Sequence, residues 1–190
     1  MKTRILFLPV LLLATLLIVA GCGKKKYQER VPDPAAAEAT TDMSQYMPNL
    51  EIGTAVPDFE APDVMGRPVK LSDFRGKYVV LDFWATWCKD CRAEMPAMKE
   101  LYNTYGPRDV QFLGVSFDTD LQSLIDYGFE NEIAWLQVCN QIKWKENPIS
   151  VAYDLHWIPT MMLIDPDGKL LAITFTAAEL AKALASEVKS

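Results

Sequence analysis

The chain has 190 residues, half of them hydrophobic, and a formal net charge of −6. This length is enough for one domain with a single core. The negative charge argues against nucleic acid as a partner, because the phosphates would be repelled. Four cysteines and one histidine offer few ligands for a metal site, and we expect neither a metal nor a cofactor.

Residues 1–21 resemble an export signal. Lys2 and Arg4 supply a positive start, residues 5–19 supply an apolar stretch of signal-like length, and small residues precede Cys22. The pattern resembles a bacterial lipoprotein signal, after which Cys22 is lipidated and becomes the new N-terminus. A plain secretory signal or a short uncleaved anchor is the alternative. Each interpretation predicts the periplasm or cell envelope, with the inner and outer membranes both left open.

Residues 22–50 are predicted to form the lipidated N-terminus and a flexible linker. They are rich in small, polar and proline residues and have little to bury. As a coil, residues 24–50 would span about 30 Å root-mean-square. Residues 51–190 then form one predicted domain, which the linker keeps within reach of membrane partners.

Within that domain the sequence pattern predicts alternating strands and helices. In chain order we expect a strand at 69–71, a strand at Tyr78–Trp84, a helix from Cys88 to about Tyr105, a strand at 110–117, a helix at 121–132, a hairpin of 160–164 with 170–175, and a closing helix at 177–189. The strand at Tyr78–Trp84 is nearly continuous and apolar, as expected when both faces are covered. This order predicts an α/β fold with a mixed central β-sheet flanked by helices on both faces.

A Cys-x-x-Cys motif, Cys88 and Cys91, begins the helix that follows the central strand. Unpaired backbone amides and the dipole at a helix start stabilise a thiolate, so Cys88 is the candidate nucleophile. Cys91 lies on the same helical face, close enough to form a disulfide and to resolve a mixed intermediate. The motif therefore predicts thiol–disulfide exchange through a redox-active disulfide. Trp87 precedes the motif and is expected to shape the substrate-binding surface.

A zinc site is the first alternative for these cysteines. A zinc site normally needs four ligands, and the remaining candidates, Cys139 and His156, lack partners at ligand spacing. A purely structural disulfide is the second alternative. Cys139 is expected to be a buried apolar residue, with a third redox thiol as the alternative, and His156 is expected to have a surface or packing role.

Asp82 lies in the middle of the apolar strand, six residues before Cys88. Burial at this position disfavours the charged carboxylate and predicts a raised pKa. Such a group is suited to accept and return the Cys91 proton during exchange, so Asp82 is a candidate catalytic residue. The alternative is a structural carboxyl group bonded to backbone or water.

These motifs together resemble the thioredoxin superfamily, and most closely the membrane-anchored TlpA/ResA-like thiol–disulfide oxidoreductases of bacterial envelopes. The resemblance runs through residues 53–63, residues 69–91, Pro96 and residues 158–160. The combination is far more specific than a Cys-x-x-Cys motif alone.

The resemblance implies a thioredoxin-like fold with Cys88 and Cys91 as the redox pair. It also implies a proton-relay role for Asp82 and a cis peptide bond before Pro159. The loop of Ile158 and Pro159 would then lie against the cysteines and offer backbone groups to a substrate segment.

The leading functional expectation is a lipid-anchored reductase of disulfide-bearing envelope proteins, supplied by a membrane electron donor. Cytochrome c maturation and cysteine repair are the expected settings. The apolar Ile158 before the proline resembles reducing thioredoxins and favours this direction. One alternative is a peroxiredoxin-like thiol peroxidase, although Ala85 stands where that signature has threonine. The other is a non-enzymatic lipoprotein that uses the fold as a docking module.

Overall fold

The apolar strand at Tyr78–Trp84 is the central strand of a mixed sheet. The computed structural model describes residues 42–188. Its strands are β1 (Glu60–Pro62), β2 (Pro68–Lys70), β3 (Tyr78–Trp84), β4 (Val110–Ser116), β5 (Leu136–Val138), β6 (Thr160–Ile164) and β7 (Leu170–Thr174). Five of them form one sheet in the order β5-β4-β3-β6-β7, while β1 and β2 form a separate antiparallel pair. Because β3 runs parallel to β4 and antiparallel to β6, the prediction of a mixed sheet is confirmed.

Helices cover both faces of this sheet. They are α1 (Lys89–Tyr105), α2 (Leu121–Glu130), α3 (Pro148–Ala152) and α4 (Ala177–Glu187). Trp84 packs against Tyr127 of α2, whereas Phe83 packs against Tyr153, which directly follows α3. Neighbouring residues of a strand point to opposite faces, so α2 and α3 lie on opposite sides of β3. This arrangement confirms the predicted architecture.

The central strand is buried along almost its whole length. Six of its seven residues are buried, and only Tyr78 at its start is partly exposed. Asp82 is the single charged residue in this run, and it is 3% exposed. The strand therefore carries a carboxyl group into the interior, directly ahead of the loop that leads to the cysteines.

Three short elements were not predicted: β1, β5 and α3. Strand β5 has only three residues and is held by parallel pairing with β4, a contact between segments distant in sequence. Helix α3 has only five residues. It is capped by Asn147, whose side chain accepts a hydrogen bond from the Ile149 N–H at 2.9 Å. The predicted strand at 69–71 also ends one residue early, because Leu71 begins a 3₁₀ turn and is fully buried.

The structure describes the last part of the predicted linker, residues 42–50. Met43–Tyr46 forms a 3₁₀ turn, and the Asp42 side chain accepts a hydrogen bond from the Ser44 N–H at 3.0 Å. The rest of that segment, like residues 1–21, lies outside the described residues, and the domain boundary at residue 51 stays a prediction. Within residues 42–188, every helix falls short of the length and apolar character that a bilayer crossing requires.

Candidate active site

Cys88 and Cys91 are joined in a disulfide at the start of α1. Their Cα atoms are 5.3 Å apart, and Cys88 is the residue that caps the helix. The Cys91 N–H donates a hydrogen bond to Cys88 Sγ at 3.1 Å, so a backbone amide of the first turn points at this sulfur. Cys88 is 7% exposed and Cys91 2%, which makes Cys88 the more accessible of the pair. This is the arrangement that an attacking and a resolving thiol require.

The loop between β3 and the disulfide is held by Asp118, a residue that the sequence analysis did not identify. Asp118 is 3% exposed and follows the end of β4. Its carboxylate accepts hydrogen bonds from the Thr86 N–H at 3.0 Å, the Thr86 hydroxyl at 2.6 Å and the Ser116 hydroxyl at 2.7 Å. The Cys139 thiol donates to the Asp118 carbonyl oxygen at 3.2 Å. Spacing along the chain gave no signal for this contact, because it depends on the pairing of Trp84 with Ser116, which brings the ends of β3 and β4 together.

We expect Asp118→Ala to lower the free energy of unfolding by about 2–4 kcal/mol, because it leaves the donors of the partly buried Thr86 and the buried Ser116 without an acceptor. Urea unfolding followed by far-UV circular dichroism measures this loss. Asp126→Ala, which removes an exposed carboxylate on α2, is the matched control and should change stability by less than about 0.5 kcal/mol. A loss for Asp118→Ala as small as that of the control would contradict the assignment.

Asp82 lies on β3 with its carboxyl group buried. Burial raises its pKa to about 7, and the nearby negative charge of Glu94 adds to the increase. Glu94 was missed in the sequence analysis, although it lies three residues after Cys91 and therefore on the same side of α1. Its Oε2 atom accepts a hydrogen bond from the Ala177 N–H at 2.7 Å, which fixes it at the start of α4. A carboxyl group with this pKa exchanges protons near neutral pH.

The Ile158–Pro159 peptide bond is cis, as the family resemblance implied. The Ile158 carbonyl oxygen lies 3.6 Å from Cys88 Sγ, so the loop faces the disulfide. The Thr160 hydroxyl donates to the Trp157 carbonyl oxygen at 2.7 Å and closes the loop on itself. An extended segment bound beside Cys88 would therefore meet the backbone of this loop.

An open cleft of about 400 Å³ lies next to this loop. It is lined by Met43, Asp90, Ala93, Glu94, Trp157, Pro159, Phe175 and Thr176. One wall therefore comes from the α1 residues beside the cysteines and another from the cis-proline loop. On the outer surface, Trp87 is 56% exposed.

The remaining residues singled out in the sequence lie elsewhere. Cys139 is buried, its thiol pKa is raised chiefly by burial, and it donates to Asp118 as described. His156 is exposed, with Nε2 at 3.2 Å from Asp154 Oδ1. Cys22 lies outside the described residues. No group of three or more His, Cys, Asp or Glu within residues 42–188 is arranged to hold a metal ion.

Comparison with known proteins agrees with this site. The model of the AhpC/TSA family matches residues 52–173. The thiol-disulfide oxidoreductase ResA of Bacillus thuringiensis subsp. konkukian is 34% identical over 122 residues, covering 64% of this chain and 68% of that protein. ResA of Geobacillus kaustophilus is 34% identical over 140 residues, covering 72% of this chain and 78% of that protein.

Solved structures with the same fold are also thiol-disulfide enzymes by name. The thioredoxin domain of a thiol-disulfide oxidoreductase from Bacteroides vulgatus has a TM-score of 0.67 and 29% identity, covering 74% of this chain and 99% of that one. A thiol:disulfide interchange protein from Bacteroides sp. has a TM-score of 0.67 and 29% identity, covering 74% of this chain and 92% of that one. The fold is thus thioredoxin-like. With the Cys88–Cys91 disulfide at its helix start, the chain belongs to the AhpC/TSA family and is a thiol–disulfide oxidoreductase related to ResA.

Proposed function

We propose that this enzyme reduces disulfides in proteins of the cell envelope through the Cys88–Cys91 dithiol. The observation that carries the proposal is the Cys88–Cys91 disulfide at the start of α1, facing the cis-proline loop. In the reduced enzyme the Cys88 thiolate attacks one sulfur of a substrate disulfide and forms a mixed disulfide, releasing the first substrate thiolate. Cys91 then attacks the Cys88 sulfur, which releases the second. Two electrons pass to the substrate, and an external dithiol donor restores the enzyme.

The Cys91 N–H and the helix start stabilise the Cys88 thiolate, because both direct positive partial charge at its sulfur. Cys91 is more deeply buried and must lose its proton before it attacks. Asp82 is proposed as the acceptor of that proton, since a carboxyl group with a pKa of about 7 is part ionised at neutral pH. Glu94 tunes this acceptor through its own negative charge.

The direction of exchange is tested by the reduction potential. The Ile158 side chain beside the proline is apolar and 5% exposed, and this resemblance to reducing thioredoxins supports the reductase assignment. Equilibration of residues 24–190 with glutathione or dithiothreitol buffers, in wild type and Cys139→Ala, measures the potential. We expect a value near or below about −220 mV. A value well above about −180 mV would mean an oxidase or isomerase instead.

We further propose that the chain is exported and anchored by lipid on Cys22, beside a membrane electron donor. The signal-like residues 1–21 and the small residues before Cys22 support this location. Two or more acyl chains would anchor the protein stably, because each buried methylene contributes about 0.8 kcal/mol. Labelling of the full chain with a fatty acid in cells, with Cys22→Ala as the control, tests it. Cytochrome c maturation and cysteine repair are the proposed settings.

Peroxide reduction is less well supported. Ala85 replaces the threonine of the peroxidase signature, and the hydroxyl of the neighbouring Thr86 already donates a hydrogen bond to Asp118. The relatives are named as thiol-disulfide oxidoreductases, which favours exchange. Because these relatives are named as enzymes, they also disfavour the alternative that the protein is a non-enzymatic docking module.

A further inference from the structure

Residues 43–49, which precede the predicted domain, pack next to the active site. The Met43–Tyr46 turn is seated on the residue that precedes the cis-proline loop: the rings of Tyr46 and Trp157 have centroids 4.9 Å apart at an angle of 40°. Further along, the Asn49 N–H donates to Asp154 Oδ2 at 3.1 Å. Two separate contacts therefore fix this segment against residues 154–157.

Met43 lies on the wall of the open cleft described above, together with Asp90 and Pro159. Asp90 stands between the two cysteines in sequence, and the carbonyl next to Pro159 is the one that faces Cys88 Sγ. The Met43 side chain thus borders a cleft beside the disulfide that can receive the polypeptide on one side of a substrate disulfide. Cys88 is not among the residues that line this cleft, so we expect a small disulfide bound at Cys88 to depend less on Met43 than a polypeptide does.

The turn borders the cleft and does not fill it. With the turn in place the cleft still has a volume of about 400 Å³, and Met43 and Tyr46 are only half-buried. A blocking segment would fill the space beside Pro159, whereas this one borders it. The thioether of methionine is flexible and polarizable and adapts to different apolar side chains, a property useful on a surface that meets varied partners.

We propose that Met43 and Tyr46 extend the substrate-binding cleft and determine specificity for disulfides carried by polypeptides, whereas the exposed Gln45 of the same turn takes no part. Met43 contacts the apolar side chain next to the substrate cysteine, and Tyr46 holds the turn against Trp157. The proposal rests on disulfide exchange at Cys88, and it holds for exchange in either direction, because substrate occupies the same cleft both ways.

The experiment uses the full chain with Met43→Ala and Tyr46→Ala combined, and Gln45→Ala as the matched control, since Gln45 is exposed on the same turn. Rate constants for exchange are measured with insulin, a polypeptide disulfide, and with oxidised glutathione. For the double variant we expect about a ten-fold fall in kcat/KM for insulin, mainly through KM, and less than a two-fold change for oxidised glutathione. Gln45→Ala should match the wild type with both.

Three outcomes would overturn the proposal. An unchanged rate with insulin would remove the turn from the cleft, and a faster rate would make it an obstruction. An equal loss with both disulfides would show that the turn supports the dithiol rather than the substrate. Failure of the reductase assignment appears separately, in the potential of the wild type. If that potential is oxidising, the same rate comparison is made in reverse, with reduced insulin and reduced glutathione as substrates and the enzyme in its disulfide form.

Discussion

Replacing Cys88 with serine is expected to abolish disulfide exchange, with a fall in rate on the order of 10⁴-fold or more, the scale seen when the nucleophile of a catalytic unit is removed. The reason is chemical: only a thiolate attacks the substrate sulfur, and a serine hydroxyl is not ionised at neutral pH. The measurement is reduction of insulin under a fixed supply of dithiothreitol, corrected for the uncatalysed rate.

Two companion variants make this result specific. Cys91→Ser should retain attack by Cys88 but accumulate the mixed disulfide, which non-reducing electrophoresis detects as an adduct with the substrate. Cys139→Ala should keep near wild-type rates, because that thiol is buried and donates a hydrogen bond to the Asp118 carbonyl oxygen. Substantial exchange by Cys88→Ser, or loss of exchange in Cys139→Ala, would reassign the redox pair.

Asp82→Asn is expected to slow the step in which Cys91 attacks by about 10²-fold at pH 7, the lower range for loss of a positioned general base. In the wild type this step should speed up as pH rises through about 7, because ionisation of Asp82 creates the proton acceptor. Asparagine cannot ionise, so the variant should lose that dependence. Stopped-flow measurement of mixed-disulfide resolution between pH 5 and 9 follows both effects.

The same substitution should stabilise the oxidised fold. In the unfolded chain Asp82 ionises near the usual pKa of 3.8, whereas in the folded protein it keeps its proton up to about pH 7. The unfolded state therefore binds fewer protons across this interval, and wild-type stability falls as pH rises from about 4 to about 7. We expect Asp82→Asn to lack this fall and to exceed the wild type by a few kcal/mol above pH 7.

Asp126→Asn, an exposed carboxyl on α2, serves as the control for charge alone and should leave both profiles unchanged. Urea unfolding at pH 4 and pH 8 measures the stability difference. If Asp82→Asn keeps the wild-type rate profile while gaining stability, Asp82 is a buried structural carboxyl. If it alters neither profile, the raised pKa itself is contradicted.

Local patterns predicted the framework of the site because they report burial directly. The strand at Tyr78–Trp84 has the predicted bounds, and α1 begins one residue after Cys88, which caps it. A short, nearly continuous apolar run rich in β-branched and aromatic residues favours a strand that is covered on both faces. The raised pKa of Asp82 likewise followed from one charged residue in such a run. The cis bond before Pro159 came from family resemblance rather than from local physics.

The sequence by itself thus determined the fold class, the redox pair and the chemistry of exchange. Only the tertiary structure decided what surrounds that pair. Asp118 accepts a hydrogen bond from Thr86, which is 32 residues away in the sequence. Glu94 is held by the start of α4. Met43, from the predicted linker, lines the cleft beside Pro159. Each of these contacts joins segments far apart in the chain. Their partners are chosen by packing of the whole domain, which periodicity and spacing within one segment do not encode.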